Sequence, residues 1–415
     1  MRIILTIGNE VELPLSERLR IENLYKIFSD RPEKAMELLK AGAGKEQVLA
    51  EAMSVVGLND VSLSVPAGAM YMIMGLSGSG KSTLARCINR LNEPTAGKIF
   101  LDGRDIVPLK PAELREIRRR RVSMVFQHFA LLPNKTVVEN AEFGLKMRGV
   151  PLQQRRKRAE EILSIVGLGK WCKHYPHELS GGMRQRVGLA RALATDADLL
   201  IMDEAFSALD PLIRSEMQDE LLRLQRTLNK TIVFITHDFQ EALKLGTRIA
   251  IMKDGAVVRE GTPQAIVADP GNDYVSAFTR EVDRSRVFEA RAVMQRCEAI
   301  GRSGEIQIVG QATGKTKRTG FALDPSGRVI GLLDEVALSK FDAGSAFEGL
   351  RSRDFVKVRE NTKLIDAARM NRSQQPTAVV DEDDRFVGLL QAEHILACIA
   401  SSSPTVASAH GVPNV

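Results

Sequence analysis

Eight residues, Gly75-Leu-Ser-Gly-Ser-Gly-Lys81-Ser82, leave the backbone around them little choice. They follow the apolar run Ala69-Met-Tyr-Met-Ile-Met74 and lead into Ser82-Thr-Leu-Ala-Arg-Cys-Ile-Asn-Arg90, a helical stretch. A buried strand, a glycine loop and a helix in that order make a compartment for a phosphate chain. Gly75, Gly78 and Gly80 let successive N–H groups turn inward, and the helix start adds its positive end. Lys81 is then placed to reach the β and γ phosphates, and the Ser82 hydroxyl to bind Mg²⁺. A nucleoside triphosphate site is expected here.

Five further signals follow in a fixed order. They are Gln127 after Met124-Val-Phe, then Leu179-Ser-Gly-Gly-Met183, Leu199-Leu-Ile-Met-Asp203-Glu204, Ser207-Ala-Leu-Asp210 and Thr236-His237. Leu199–Met202 and Thr231–Thr236 are short and apolar and end at an acid or a histidine, the pattern of buried strands that present a polar group at their tips. Asp203 at such a tip can hold the magnesium shell, and Glu204 beside it can polarise an attacking water. Ser180, Gly181 and Gly182 open a helix and supply a second set of anion-binding donors.

This ordered set resembles an ATP-binding cassette, and the resemblance implies roles for individual residues. Glu204 is then the catalytic base, His237 the switch histidine that contacts the γ-phosphate, and Gln127 the glutamine that touches Mg²⁺ and water. Ser77 and Thr83 join the nucleotide-binding loop. Ser180, Gly181 and Gly182 face the ATP held by a second copy, with Asp210 on the axis of that head-to-tail dimer. Adenine needs an aromatic face. Phe28 holds the expected position, with Tyr25 as its rival. Cys172, His174 and His177 precede the signature loop without a fourth ligand, so structural roles are expected of them.

At 415 residues the chain is long enough for two or three compact units. No apolar run approaches the roughly 18 residues that span a bilayer, and the Met1–Ile7 stretch is too short for a secretion signal, so an intracellular chain is expected. Four scattered cysteines give neither a disulfide framework nor a zinc pattern. The net charge of +6 gathers in Arg115–Arg121 and Arg155–Arg158. These runs read first as solvated helix faces and second as contacts with an anionic leaflet. No nucleic-acid module accompanies them, and no nucleic-acid partner is expected.

The expected fold is an α/β P-loop ABC ATPase, a mixed and mainly parallel sheet with a helical subdomain, followed by an α+β domain. The ATPase spans 1–281, with a helical insertion at about 30–56 and the helical subdomain at about 128–190. After Glu281 a repeat appears. Leu323-Asp-Pro-Ser-Gly-Arg-Val-Ile-Gly-Leu-Leu333 recurs 57 residues later as Val380-Asp-Glu-Asp-Asp-Arg-Phe-Val-Gly-Leu-Leu390. It resembles a tandem pair of CBS modules over 285–398, although Asp334 and Gln391 stand where the usual nucleotide-binding Ser or Thr would be. Residues 401–415 read as a disordered tail.

The short spacing between Gln127 and Leu179 excludes repair and chromosome ATPases, and the single cassette excludes the translation-associated members. The insertion after Phe28, the stretch Met202–Arg214 and the repeated tail resemble the ATP-binding subunit of glycine betaine/proline importers. Amino-acid and methionine importers are the alternative. The resemblance implies a membrane permease, docked near Phe129–Phe143, and an extracytoplasmic substrate-binding protein. It places the chain on the cytoplasmic face of a bacterial inner membrane.

Overall fold

The computed structural model describes residues 16–126, 130–207, 209–310, 320–342, 355–371 and 376–400. Gln127 and the 401–415 segment lie outside them. The chain divides into two compact units between Ile266 and Val267. The division falls before the boundary expected at 281, because the helix Asp273–Thr279 belongs to the second unit.

Two sheets build the first unit. One has six strands in the order Ala256–Gly261, Arg248–Lys253, Met70–Met74, Thr231–Thr236, Leu199–Asp203 and Val122–Val125. All neighbours are parallel except the first pair. Strands buried on both faces read as unbroken apolar runs, and Leu199–Asp203 and Thr231–Thr236 are buried along their whole length. The other sheet is antiparallel, in the order Val55–Pro66, Glu17–Phe28, Ala96–Leu101, Arg104–Asp105. The helix Lys81–Ile88 lies between the sheets, and its Leu84, Ala85, Cys87 and Ile88 share one core with Ile21, Leu58, Ile73 and Ile201.

The insertion is two helices, Pro32–Lys40 and Lys45–Ala52, joined through Gly42 in the left-handed region at φ 89°. They connect the hairpin strands that pair Ile27 with Val56 and Phe28 with Val55. Ala35, Leu39 and Val48 pack on Ile27 and Val56 as a small core of their own.

Helices from Val137 to Ala194 form the subdomain, close to the expected 128–190. The Thr136 hydroxyl and Glu139 cap its first helix reciprocally. Buried Glu142 takes a two-pronged pair from Arg156, at 2.9 and 3.0 Å. The carbonyls of Cys172 and His174 accept from the N–H groups of Val138 and Val137, so both residues anchor a helix start. The first basic run is largely the solvated face expected, with Arg115, Arg119, Arg120 and Arg121 exposed, but part of it also has internal partners. Arg118 caps the carbonyls of Asn89 and Arg90, and Arg121 pairs with Asp102 and Asp198.

In the second unit the repeat is visible as structure. The hairpin Gly320–Leu323 with Val329–Leu333 and the helix Glu335–Asp342 recur, 57 residues on, as Thr377–Val380 with Phe386–Leu390 and Ala392–Ala400. The copies differ ahead of the hairpin: Ile306–Gly310 runs antiparallel to its neighbour, whereas Val356–Arg359 runs parallel. The four cysteines are free thiols.

Candidate active site

The glycine loop leaves the buried strand Met70–Met74 and enters the helix Lys81–Ile88 through Gly80, whose φ of 102° suits only glycine. A Cβ at Gly80 would stand 2.5 Å from the Gly57 carbonyl oxygen, and one at Gly75 would overlap that of Met252. Ser77 and Gly78 form the exposed tip, and Ser82 and Thr83 the first helical turn. Lys81 is only 5 % exposed, and its ammonium donates to the carbonyls of Gly75 and Leu76 at 2.8 and 2.9 Å. Burial lowers its pKa, opposed by the charges of Glu204 and Asp203. A buried cation whose hydrogen-bond partners are neutral is well suited to an incoming phosphate.

Ser82 donates from Oγ to Asp203 Oδ1 at 2.9 Å. Asp203 is buried at the tip of its strand, and burial raises its pKa while the Ser82 bond pulls it down. Glu204 turns out of the strand with φ 47°, and its N–H donates to the Ile235 carbonyl of the neighbouring strand at 3.0 Å. A non-glycine residue in the left-handed region is uncommon and marks a constrained position. Ser207 closes the turn through its hydroxyl on the Glu204 carbonyl at 2.9 Å. His237, exposed after its own strand, brings Nδ1 to 3.4 Å from Glu204 Oε2. Four expected residues from three segments thus converge on one corner.

Ser180 caps the helix Gly181–Ala194 by accepting the Met183 N–H at 3.3 Å, and space beside Gly181 is open. Gly182 faces Ile213 and Leu209. Asp210, exposed, caps the helix Pro211–Leu228 through the Ile213 N–H. Phe28 ends its strand with its ring exposed beside Gly57 and Thr83, while Tyr25 packs on the insertion's small core. Two contacts that sequence reasoning missed involve the strand of Phe28 and the helix that Ser180 caps. Lys26 lies over the Phe28 ring, its ammonium 4.9 Å from the centroid, and the Arg191 guanidinium donates to the Ala130 carbonyl at 2.6 Å. The alternation of Lys26 with Phe28 in one strand was the available signal for the first.

Chemistry of this kind, on a parallel sheet joined to a helical subdomain that opens at Ser180, is that of an ATP-binding cassette, an ATPase of the transporter class. The ABC transporter family model matches residues 58–207. The chain is 43 % identical over 392 residues to the glycine betaine/proline betaine transport system ATP-binding protein ProV of Salmonella typhimurium, covering 92 % of this chain and 97 % of that protein. It is also 43 % identical to the glycine betaine transport ATP-binding protein OpuAA of Bacillus subtilis, covering 93 % of each. Among solved structures, a dimeric post-hydrolysis state of the cassette MJ0796 bound to ADP and Pi is 34 % identical with a TM-score of 0.51. It covers 59 % of this chain and 98 % of that one. The chain belongs to the family of ATP-binding subunits of glycine betaine/proline betaine transport systems. No helix among the described residues is long and apolar enough to cross a membrane.

Proposed function

We propose that this chain hydrolyses ATP to drive import of glycine betaine and related quaternary amines through a membrane permease. An extracytoplasmic binding protein delivers the solute, and the chain works on the cytoplasmic face of a bacterial inner membrane. The observation that carries this reading is that similarity to ProV and OpuAA runs through nearly the whole length of those proteins, the insertion and C-terminal unit included. A minimal cassette would account for neither part.

Within the site, Lys81 and the loop N–H groups hold the β and γ phosphates and offset the charge that develops on them. Glu204 accepts the proton of the attacking water, and His237 holds the Glu204 carboxylate in place and reaches the γ-phosphate. The hydroxyl of Ser82 and the carboxylate of Asp203, 2.9 Å apart, are hard oxygen donors that fit Mg²⁺, with Gln127 as a further ligand. Mg²⁺ bound there would draw charge from the phosphate oxygens. Phe28 stacks the adenine. With one glycine loop and one signature helix per chain, the second set of donors at Ser180, Gly181 and Gly182 comes from another copy, and the MJ0796 dimer supports a head-to-tail pair meeting near Asp210. The recurring hairpin and helix support a tandem CBS pair over 285–398.

Reconstitution tests the reading. The chain, its permease and its binding protein are placed in vesicles with ATP on the side of this chain, and uptake of radiolabelled glycine betaine and methionine is compared. ATP-dependent accumulation of the quaternary amine alone is expected. Accumulation of methionine in its place would reject the assignment.

A further inference from the structure

The insertion uses one face of each helix to bind itself down and leaves another apolar stripe in water. Val48 is buried with Ala35 and Leu39, yet Leu49 is 50 % and Met53 83 % exposed. Lys45, Leu49 and Met53 are spaced four apart and so follow one face of the second helix and its cap.

One end of that stripe lies beside the nucleotide loop, and the other leads through Val55 to Phe28. At the Lys45 end, the side-chain Cε lies 3.2 Å from where a Cβ on Gly255 would stand. The Gly255 N–H donates to the Ser79 carbonyl at 3.0 Å, inside the loop itself. At the other end Met53 takes the left-handed conformation, φ 50° and ψ 37°, and caps the helix through its N–H on the Leu49 carbonyl. Ser54 is then buried, and Val55, exposed, stands directly across the hairpin from Phe28. The Phe28 ring in turn meets the same point as the Thr83 methyl: a Cβ on Gly57 would be 2.8 Å from the first and 3.0 Å from the second. An exposed apolar strip, Leu49, Met53, Val55 and Phe28, thus runs from the insertion to the first turn of the phosphate-binding helix.

We infer that the helix Lys45–Ala52 and its cap form the outer wall of the base pocket, with Leu49 and Met53 closing over the adenine ring that Phe28 stacks. The inference rests on the assignment of Phe28 as the adenine platform. A purine has two apolar faces, and Phe28 covers one. Met53, unbranched and polarizable, suits a flat π face, and the strip's continuity with the phosphate loop names the nucleotide as its occupant. The insertion then has a direct part in nucleotide affinity.

The test compares ADP, which carries the base, with inorganic pyrophosphate, which does not, by isothermal titration of the full chain and of two variants. In the Leu49→Ser, Met53→Ser double variant, ADP binding is expected to weaken about tenfold, with pyrophosphate binding unchanged. ADP binding equal to wild type in that variant, while Phe28→Ala loses it, overturns the wall and leaves the platform standing. Equal weakening for ADP and pyrophosphate also overturns it, because the damage is then to the loop. Should Phe28→Ala itself leave ADP binding intact, the platform fails and the wall with it.

Discussion

His237 Nδ1 stands 3.4 Å from Glu204 Oε2, and the two arrive there from the ends of adjacent parallel strands. Glu204 is fixed from below by its N–H on Ile235 and by the left-handed turn at its Cα. The carboxylate is therefore aimed by backbone and trimmed by the histidine. Glu204→Gln preserves the shape and removes the proton acceptor. Nucleotide should stay bound while hydrolysis falls by about 10²- to 10⁴-fold. Light scattering should then find a dimer in saturating Mg-ATP with the permease present. A strictly monomeric chain under those conditions would contradict the head-to-tail pair.

The loop glycines are not equivalent. Gly80 and Gly78 both have positive φ, at 102° and 79°, but a Cβ at Gly80 meets the Gly57 carbonyl whereas one at Gly78 meets nothing within 4 Å. Gly78→Ala should cost about 1 kcal/mol of strain. Gly80→Ala should cost clearly more, through added displacement of backbone, and should abolish nucleotide binding. Thermal unfolding of the two variants separates them; equal losses would show that strain alone matters.

What the sequence made legible was local. The loop, its strand and helix, the apolar strands ending in Asp203 and Thr236, and the two insertion helices each follow from neighbouring residues. The antiparallel sheet did not, because it pairs Leu19 with Leu101 and Ile21 with Ile99 across the whole insertion and glycine loop. Non-local pairing leaves no periodicity within either strand alone. In the run Arg115–Arg121 the inward turn of Arg118 was hidden in the same way: its charge is visible in composition, but the carbonyls of Asn89 and Arg90 that receive it are not. The site corner was expected residue by residue. The resting bonds of Lys81 emerge only from coordinates.

Stability of the insertion should depend on its inner face and be indifferent to its outer one. Leu39 is buried against Ile27, Ala35, Val48 and Val56, so Leu39→Ala removes buried methyl groups and leaves a cavity. A loss of about 2–5 kcal/mol at that site is expected. Leu49→Ala, at an exposed position, should fall within about 0.5 kcal/mol of wild type. Hydrogen exchange over residues 32–52 would report the difference, and similar protection in both variants would mean that the small core does not hold the helices down.

Acid sensitivity should have an identifiable contribution at the start of the subdomain. Glu139 accepts the Thr136 N–H at 2.8 Å and pairs with Lys135 at 3.5 Å. The backbone bond from Thr136 first, then the Thr136 hydroxyl and Lys135, hold its carboxyl below the usual 4.5. The folded chain thus binds this proton more weakly than the unfolded one. The stability it contributes is present in full above about pH 4.5 and is lost as pH falls through the lower folded value. Glu139→Gln keeps an oxygen for the Thr136 N–H but has no charge to lose. Urea midpoints should therefore place the variant below wild type near pH 7, with the gap closing as pH drops below 4.5. Because Lys135 and Glu139 lie near solvent, added salt should narrow the neutral-pH gap as well. A gap that stayed constant from neutral to acid pH would mean that Glu139 acts through shape alone.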